Sequence, residues 1–152
     1  MLIYLPDKSM IMDLHDAIIN LSGGRRGILN ESVIDSAIHR PKTYLSYHED
    51  CSLHIVCAVL LDAIARNHGF SDANKRTGLM TAILTYELNG IALNMQADKT
   101  NEFEELVLWV VNDKPHITEI ASKLEELTNK YQANSVAKFI SKLKKMIEPF
   151  SA

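Results

Sequence analysis

This chain of 152 residues is short of several things that would give away a special architecture. It has only 2 Cys, so a fold held by disulfides is excluded, and the usage is that of a reducing compartment. It has no long apolar run. The longest, around Ile55–Leu61 and Glu105–Val111, fall far short of the ~20 residues of a spanning helix. It has no cationic n-region and no long apolar h-region at its start, which gives an expectation of the cytoplasm and of no membrane partner. It has no excess of positive charge: 16 Lys and Arg stand against 19 Asp and Glu, for a net −3. No basic field holds nucleic acid non-specifically, and no basic helix carries base-reading polar groups. Internal repeats and low-complexity tracts are also missing.

What is present is the balance of an ordinary globular domain, 47% hydrophobic and 23% charged. A chain of this length buries roughly 70% of the surface its unfolded form exposes, so its core needs no metal staple. The polar stretch Gln132–Ser135 marks a boundary between a domain over residues 1–131 and a helical extension over residues 132–152.

Strand signals are few and helical periodicity recurs along the chain, which predicts an all-α fold with at most a small β-hairpin or short strands. Ser9 is placed to cap a helix carrying Met10, Leu14, Ala17, Ile18 and Leu21, stopped by Gly23 and Gly24. Asn30 is placed to cap a second, carrying Val33, Ile34, Ala37 and Ile38, which should end before Pro41. Lys42–Asp50 shows no helical stripe and reads as a loop or small hairpin. Cys51–Arg66 is apolar almost all round, the mark of a central helix. Lys75–Leu88 reads as a helix with Leu79, Ile83, Leu84 and Leu88 inward. Ile91–Met95 suits a short strand. Further helices are expected over Asn101–Val111, Ile117–Tyr131 and Ser135–Ile147, the last bearing Lys138, Lys142, Lys144 and Lys145.

The informative segment runs from Arg66 to Thr77, reading Arg-Asn-His-Gly-Phe-Ser-Asp-Ala-Asn-Lys-Arg-Thr. It joins two strongly apolar helices, yet it holds a His, an Asp, two Asn, a Lys and two Arg. Such groups must be solvated, paired or bound. Asn74–Thr77 opens the second helix, where the first backbone N–H groups have no internal partner and the helix dipole is positive. Lys75 and Arg76 add full positive charges at a place that normally prefers acidic residues. A bound phosphate resolves that conflict. Asp72 beside it suits Mg²⁺, which takes carboxylate and phosphate oxygens. His68 suits the base that removes a proton from an attacking hydroxyl. These parts make a phosphoryl- or nucleotidyl-transfer site, without a P-loop or the protein-kinase signatures.

His68-Gly-Phe70-Ser-Asp72-Ala-Asn74-Lys75-Arg76-Thr77 resembles the signature of the Fic/Doc superfamily, H-x-F-x-[DE]-[AG]-N-[GK]-R. It resembles most the Doc (death-on-curing) branch, which has Lys where typical Fic enzymes have Gly. Arg66, the Gly23–Gly27 segment, the Arg40-Pro41 helix end and the Glu87-Leu-Asn-Gly90 stop also fit, so the resemblance spans about Leu2 to Tyr131. It implies a helical bundle with the motif loop between two central helices. It implies a toxin that transfers phosphate from ATP or another nucleoside triphosphate, with Mg²⁺, to a Ser or Thr hydroxyl of a translation elongation factor. An antitoxin partner would control it, since no clear [ST]-x-x-x-E-[GN] inhibitory motif is present. Residue by residue, His68 would be the base and Asp72 the Mg²⁺ ligand, while Asn74, Lys75 and Arg76 would hold phosphates with Arg66 as a further contact. Catalysis would thus rest on His68, Asp72, Lys75 and Arg76, and nucleotide binding on Arg66, Asn74, Lys75, Arg76 and Thr77. Lys75 fills space that a Gly leaves to phosphate oxygens, so the γ-phosphate should face His68. The alternatives are a Fic-type AMP transferase with the same residues and a non-catalytic interaction module. In similar proteins a flap holds the target peptide as an added strand, and Tyr44 and Tyr47 suit either that or plain packing.

Elsewhere, Cys51, His54 and Cys57 read either as a C-x₂-H-x₂-C metal site or, better, as a packed helix with buried thiols. Arg25 and Arg26 suit solvated residues after a helix stop better than contacts to the target or to a phosphate. His15, His39, His48 and His116 have no motif context and read as surface or structural residues.

Overall fold

The computed structural model describes residues 2–133 together with Leu143 and Met146. Over residues 2–133, six α-helices follow one another: α1 (Lys8–Ser22), α2 (Glu31–Tyr47), α3 (Leu53–Arg66), α4 (Asn74–Leu88), α5 (Glu102–Asp113) and α6 (Ile117–Tyr131). A 3₁₀ turn, Met95–Ala97, precedes α5. No sheet forms among the described residues, and the expected all-α class is what is found. The terminal helix expected over Ser135–Ile147 lies, apart from Leu143 and Met146, outside the described residues.

α3 is the axis of the molecule. Every residue from Val56 to Ala65 is buried, as its all-round apolar sequence requires. One of its sides joins α4, α5 and α6 in a core that includes Leu61, Tyr86, Phe103, Leu106, Ile120 and Leu124. Its other side meets α1 and α2 through Ile11, Ile34, Ala37, Ala63, Ile64 and Phe70.

α4 lies against α3 so closely that a Cβ built at Gly78 would stand 3.0 Å from the Ala65 nitrogen and 3.2 Å from the Leu61 carbonyl oxygen. That approach changes which face of α4 is inward. Thr77, Gly78, Thr81, Ala82, Thr85 and Tyr86 are buried. Of the expected inward set only Ile83 is buried, and Leu79, Leu84 and Leu88 are half-covered. Small side chains permit the contact and leucines do not, so volume overrode hydrophobicity.

Local signals placed most ends correctly. Asn30 and Ser52 cap α2 and α3 by accepting from Val33 N–H and Ile55 N–H. α1 begins earlier than Ser9: the Asp7 carboxylate accepts from Met10 N–H at 2.8 Å and caps it. The larger correction is α2, which does not end before Pro41. It runs to Tyr47 with Pro41 inside it and buried. The lost N–H bond is offset by burial of the ring, by the Arg40 bond to Asp62 at 2.8 Å, and by Tyr44 stacked on His48 at 4.2 Å, one turn apart. Tyr44 and Tyr47 therefore stand on a helix, not on a hairpin. The strand expected at Ile91–Met95 is reduced to one antiparallel bridge, Leu93 with Gln132.

Candidate active site

The loop between α3 and α4 is held in an uncommon shape. His68 (φ +49°) and Ala73 (φ +62°) both lie in the left-handed region, where a residue other than glycine costs about 1–3 kcal/mol. Three devices maintain it. The Asn74 side chain closes the loop on itself: its Oδ1 accepts from Phe70 N–H and its Nδ2 donates to the Phe70 carbonyl, each at 3.0 Å. The Gly69 carbonyl accepts from Leu29 and Asn30 N–H, and Ser71 N–H donates to the Gly27 carbonyl. Phe70 is buried and anchors the centre.

α4 then starts without a side-chain cap, because Ala73 occupies the cap position in a left-handed conformation. α1, α2 and α3 are all capped by side-chain oxygens. The first N–H groups of α4 are thus left for another partner.

Beside them stands Asp72. Its Oδ2 accepts from Arg25 N–H at 2.9 Å and its Oδ1 from Ala73 N–H at 2.8 Å. These two bonds, with the nearby charges of Arg76 and Arg25, hold its carboxyl below the ordinary value. Each oxygen keeps a lone pair. Gly24 makes the approach possible: at φ +126°, a Cβ there would stand 2.9 Å from Asp72 Oδ2 and 3.1 Å from Arg76 Nη2.

An open groove of about 710 Å³ runs along this edge. His68, Ser71, Asp72, Asn74, Lys75 and Arg76 line it from the loop and the start of α4, with Leu79 further along α4 and Glu104, Val107 and Leu108 from α5. The His68 imidazole is exposed and has no hydrogen-bond partner among the described residues. Lys75 is exposed and forms no ion pair among them.

The candidate residues therefore separate. His68, Asp72, Asn74, Lys75 and Arg76 come together on the groove. Arg76 is engaged in part, since its Nη1 donates to the Gly23 carbonyl at 2.9 Å and to Ser22 Oγ, closing the C-terminus of α1. Asn74 turns its side chain into the loop. Arg66 and Thr77 do not line the groove. Arg66 Nη1 donates to Asp62 Oδ1 at 2.8 Å, and Thr77 is fully buried. The α5 wall had no motif to announce it. Its place follows only from how α5 packs. His54 is spent on Tyr86, whose hydroxyl is 2.8 Å from Nδ1, and the Cys57 thiol donates to the Ala82 carbonyl at 3.6 Å.

An uncapped helix start, a carboxylate, a lysine and an imidazole thus meet on one groove of an all-helical core. Comparison with known proteins gives the family: residues 5–86 match the model described as the Fic/DOC family, and the chain belongs to it. Among relatives, it is 32% identical over 117 residues to "Protein kinase doc" of Escherichia phage P1, covering 77% of this chain and 90% of that protein. It is 31% identical over 104 residues to "Toxin Doc" of Mycolicibacterium smegmatis, covering 67% and 78%. Within the family the likeness is thus to the Doc branch.

The residues suit a metal-loaded nucleotide. Asp72 is ionised, anchored by neutral donors and retains free lone pairs, which is the donor type Mg²⁺ prefers. The N–H groups at the start of α4 and the Lys75 ammonium suit the phosphates.

Proposed function

We propose that the chain is a Doc-type toxin that transfers the γ-phosphate of a nucleoside triphosphate to a Ser or Thr hydroxyl of a protein target. A translation elongation factor is the target class that the Doc resemblance favours. An antitoxin would restrain the protein in the cell. The single observation that carries this reading is the convergence of an exposed imidazole, an anchored carboxylate and an uncapped, cationic helix start on one groove. The name "Protein kinase doc" of a relative supports the kinase side of it.

In this reading the start of α4 and Lys75 hold the phosphate oxygens, with Arg76 adding charge from one side. Asp72 would hold Mg²⁺, which would supply neutralisation of phosphate charge. His68, as the neutral imidazole, takes the proton of the target hydroxyl while its oxygen bonds to the γ-phosphorus and the nucleoside diphosphate leaves. The bonds at Phe70 and Gly69 hold the loop so that little reorganisation accompanies the reaction.

The test uses ATP labelled at the α or the γ position with a lysate as the source of target. Label carried to protein only from the γ position supports the reading. Label only from the α position overturns it in favour of AMP transfer. Lys75→Gly is expected to weaken γ transfer by reopening the space beside the loop. If growth inhibition survives His68→Ala, proton abstraction is not the mechanism and a binding module takes its place.

A further inference from the structure

α1 carries a buried side chain that the proposed chemistry does not use. His15 is 1% exposed. Its Nε2 lies 2.9 Å from the Asp72 backbone oxygen. A carbonyl only accepts, so Nε2 carries the proton and donates. The ring lies flat on Phe70, with centroids 4.0 Å apart and planes 8° from parallel. Nδ1 is 3.6 Å from Asp16 Oδ1, beyond hydrogen-bond reach. One imidazole therefore holds the motif loop twice, by its face at Phe70 and by its edge at Asp72.

The position of the edge contact gives it consequence. The Asp72 carbonyl belongs to the peptide that joins Asp72 to Ala73. Ala73 is the left-handed residue at the start of α4. That peptide also carries the Ala73 N–H, which donates to Asp72 Oδ1, so its orientation sets both a bond to the carboxylate and the entry into α4. The carboxylate is held by Arg25 and Ala73 N–H, and His15 holds the backbone carbonyl of the same residue from the buried side.

We infer that His15 is a positioning residue: its buried Nε2–H sets the Asp72–Ala73 peptide so that the carboxylate and the open start of α4 face the groove together. The kinetic part of this inference rests on the proposed function, and the geometric part does not. His15 touches neither phosphate nor target, so it acts through Asp72.

The experiment compares the full chain with His15→Phe, which keeps a ring on Phe70 and removes the donor, and His15→Gln, which keeps an amide donor. Two readouts are taken. The first is amide hydrogen exchange over residues 70–77, with α6 as internal reference. The second is the Mg²⁺ concentration giving half-maximal phosphate transfer. His15→Phe is expected to speed exchange over residues 70–77 while α6 is unchanged, and to raise the Mg²⁺ requirement by about 10- to 100-fold. His15→Gln is expected to return both toward wild type. Wild-type exchange and an unchanged Mg²⁺ requirement in His15→Phe overturn the inference. So does faster exchange in α6 and residues 70–77 alike, which marks a general core role. If His15→Phe does not fold, His15→Leu is the second donor-less variant with the same expected results. If the wild type transfers no label at all, the functional reading fails, and the exchange comparison still decides the role of His15.

Discussion

Asp62 and Asp72 flank the same loop and are held in opposite ways. Asp62 is buried in α3 and receives two guanidinium groups, Arg40 on Oδ2 and Arg66 on Oδ1, each at 2.8 Å. Asp72 stands on the groove and receives two neutral backbone N–H groups. The first arrangement cancels the carboxylate charge and ties α2 to α3. The second fixes the carboxylate in direction and leaves its charge for a cation. Bonds from dipoles position an anion without neutralising it, whereas bonds from guanidinium groups do both. The family motif belongs to the second arrangement, and the Arg that precedes it belongs to the first.

The sharpest way to test that contrast is on the open side. His68→Ala should lower the transfer rate by about 10²–10⁴-fold, with the melting temperature unchanged because the imidazole is exposed. A large loss of melting temperature would instead make His68 a structural residue. On the closed side, Arg40→Ala with Arg66→Ala leaves the buried Asp62 charge unpaired. Urea unfolding should then show a loss of about 3–5 kcal/mol. If stability holds and nucleotide affinity falls, Arg66 serves the groove and the contrast breaks.

Asp72→Asn should weaken Mg²⁺-dependent nucleotide binding by about tenfold, or ~1.4 kcal/mol, measured by calorimetry with and without the metal. Affinity unchanged by the substitution removes Asp72 from the metal site. The smallest effect is on pH dependence. Asp72 is depressed in the folded chain by its backbone bonds, and Glu102 by its bonds to Lys130 and Tyr131. A depressed carboxyl contributes stability that is complete above its unfolded value of about 4 and is lost as pH falls through the folded value. Melting temperature should therefore fall below about pH 4, and less steeply in Asp72→Asn. An identical slope in the variant shows that Asp72 is not linked to folding.

Much of the molecule was legible from local pattern. The apolar girth of α3 made it central, and the cap at Asn30 and the stop at Gly23 sit where short-range chemistry puts them. The groove residues His68, Asp72 and Lys75 were legible because polar groups between two core helices demand a partner. Pro41 misled because its local preference is against a helix interior, and the burial of its ring is a tertiary gain. Leu79, Leu84 and Leu88 misled because hydrophobic spacing does not report how close two helices lie.

The sequence by itself determined where most helices lie, the loop that joins the central pair and the polar residues gathered on that loop, since each depends on neighbours a few positions away. Tertiary structure alone decided that Arg66 pairs with Asp62, that Thr77 is sealed in the core, that α5 supplies a wall of the groove and that His15 meets the Asp72 carbonyl. Those partners are chosen by packing between distant segments, where distance and volume, rather than periodicity, set the free energy.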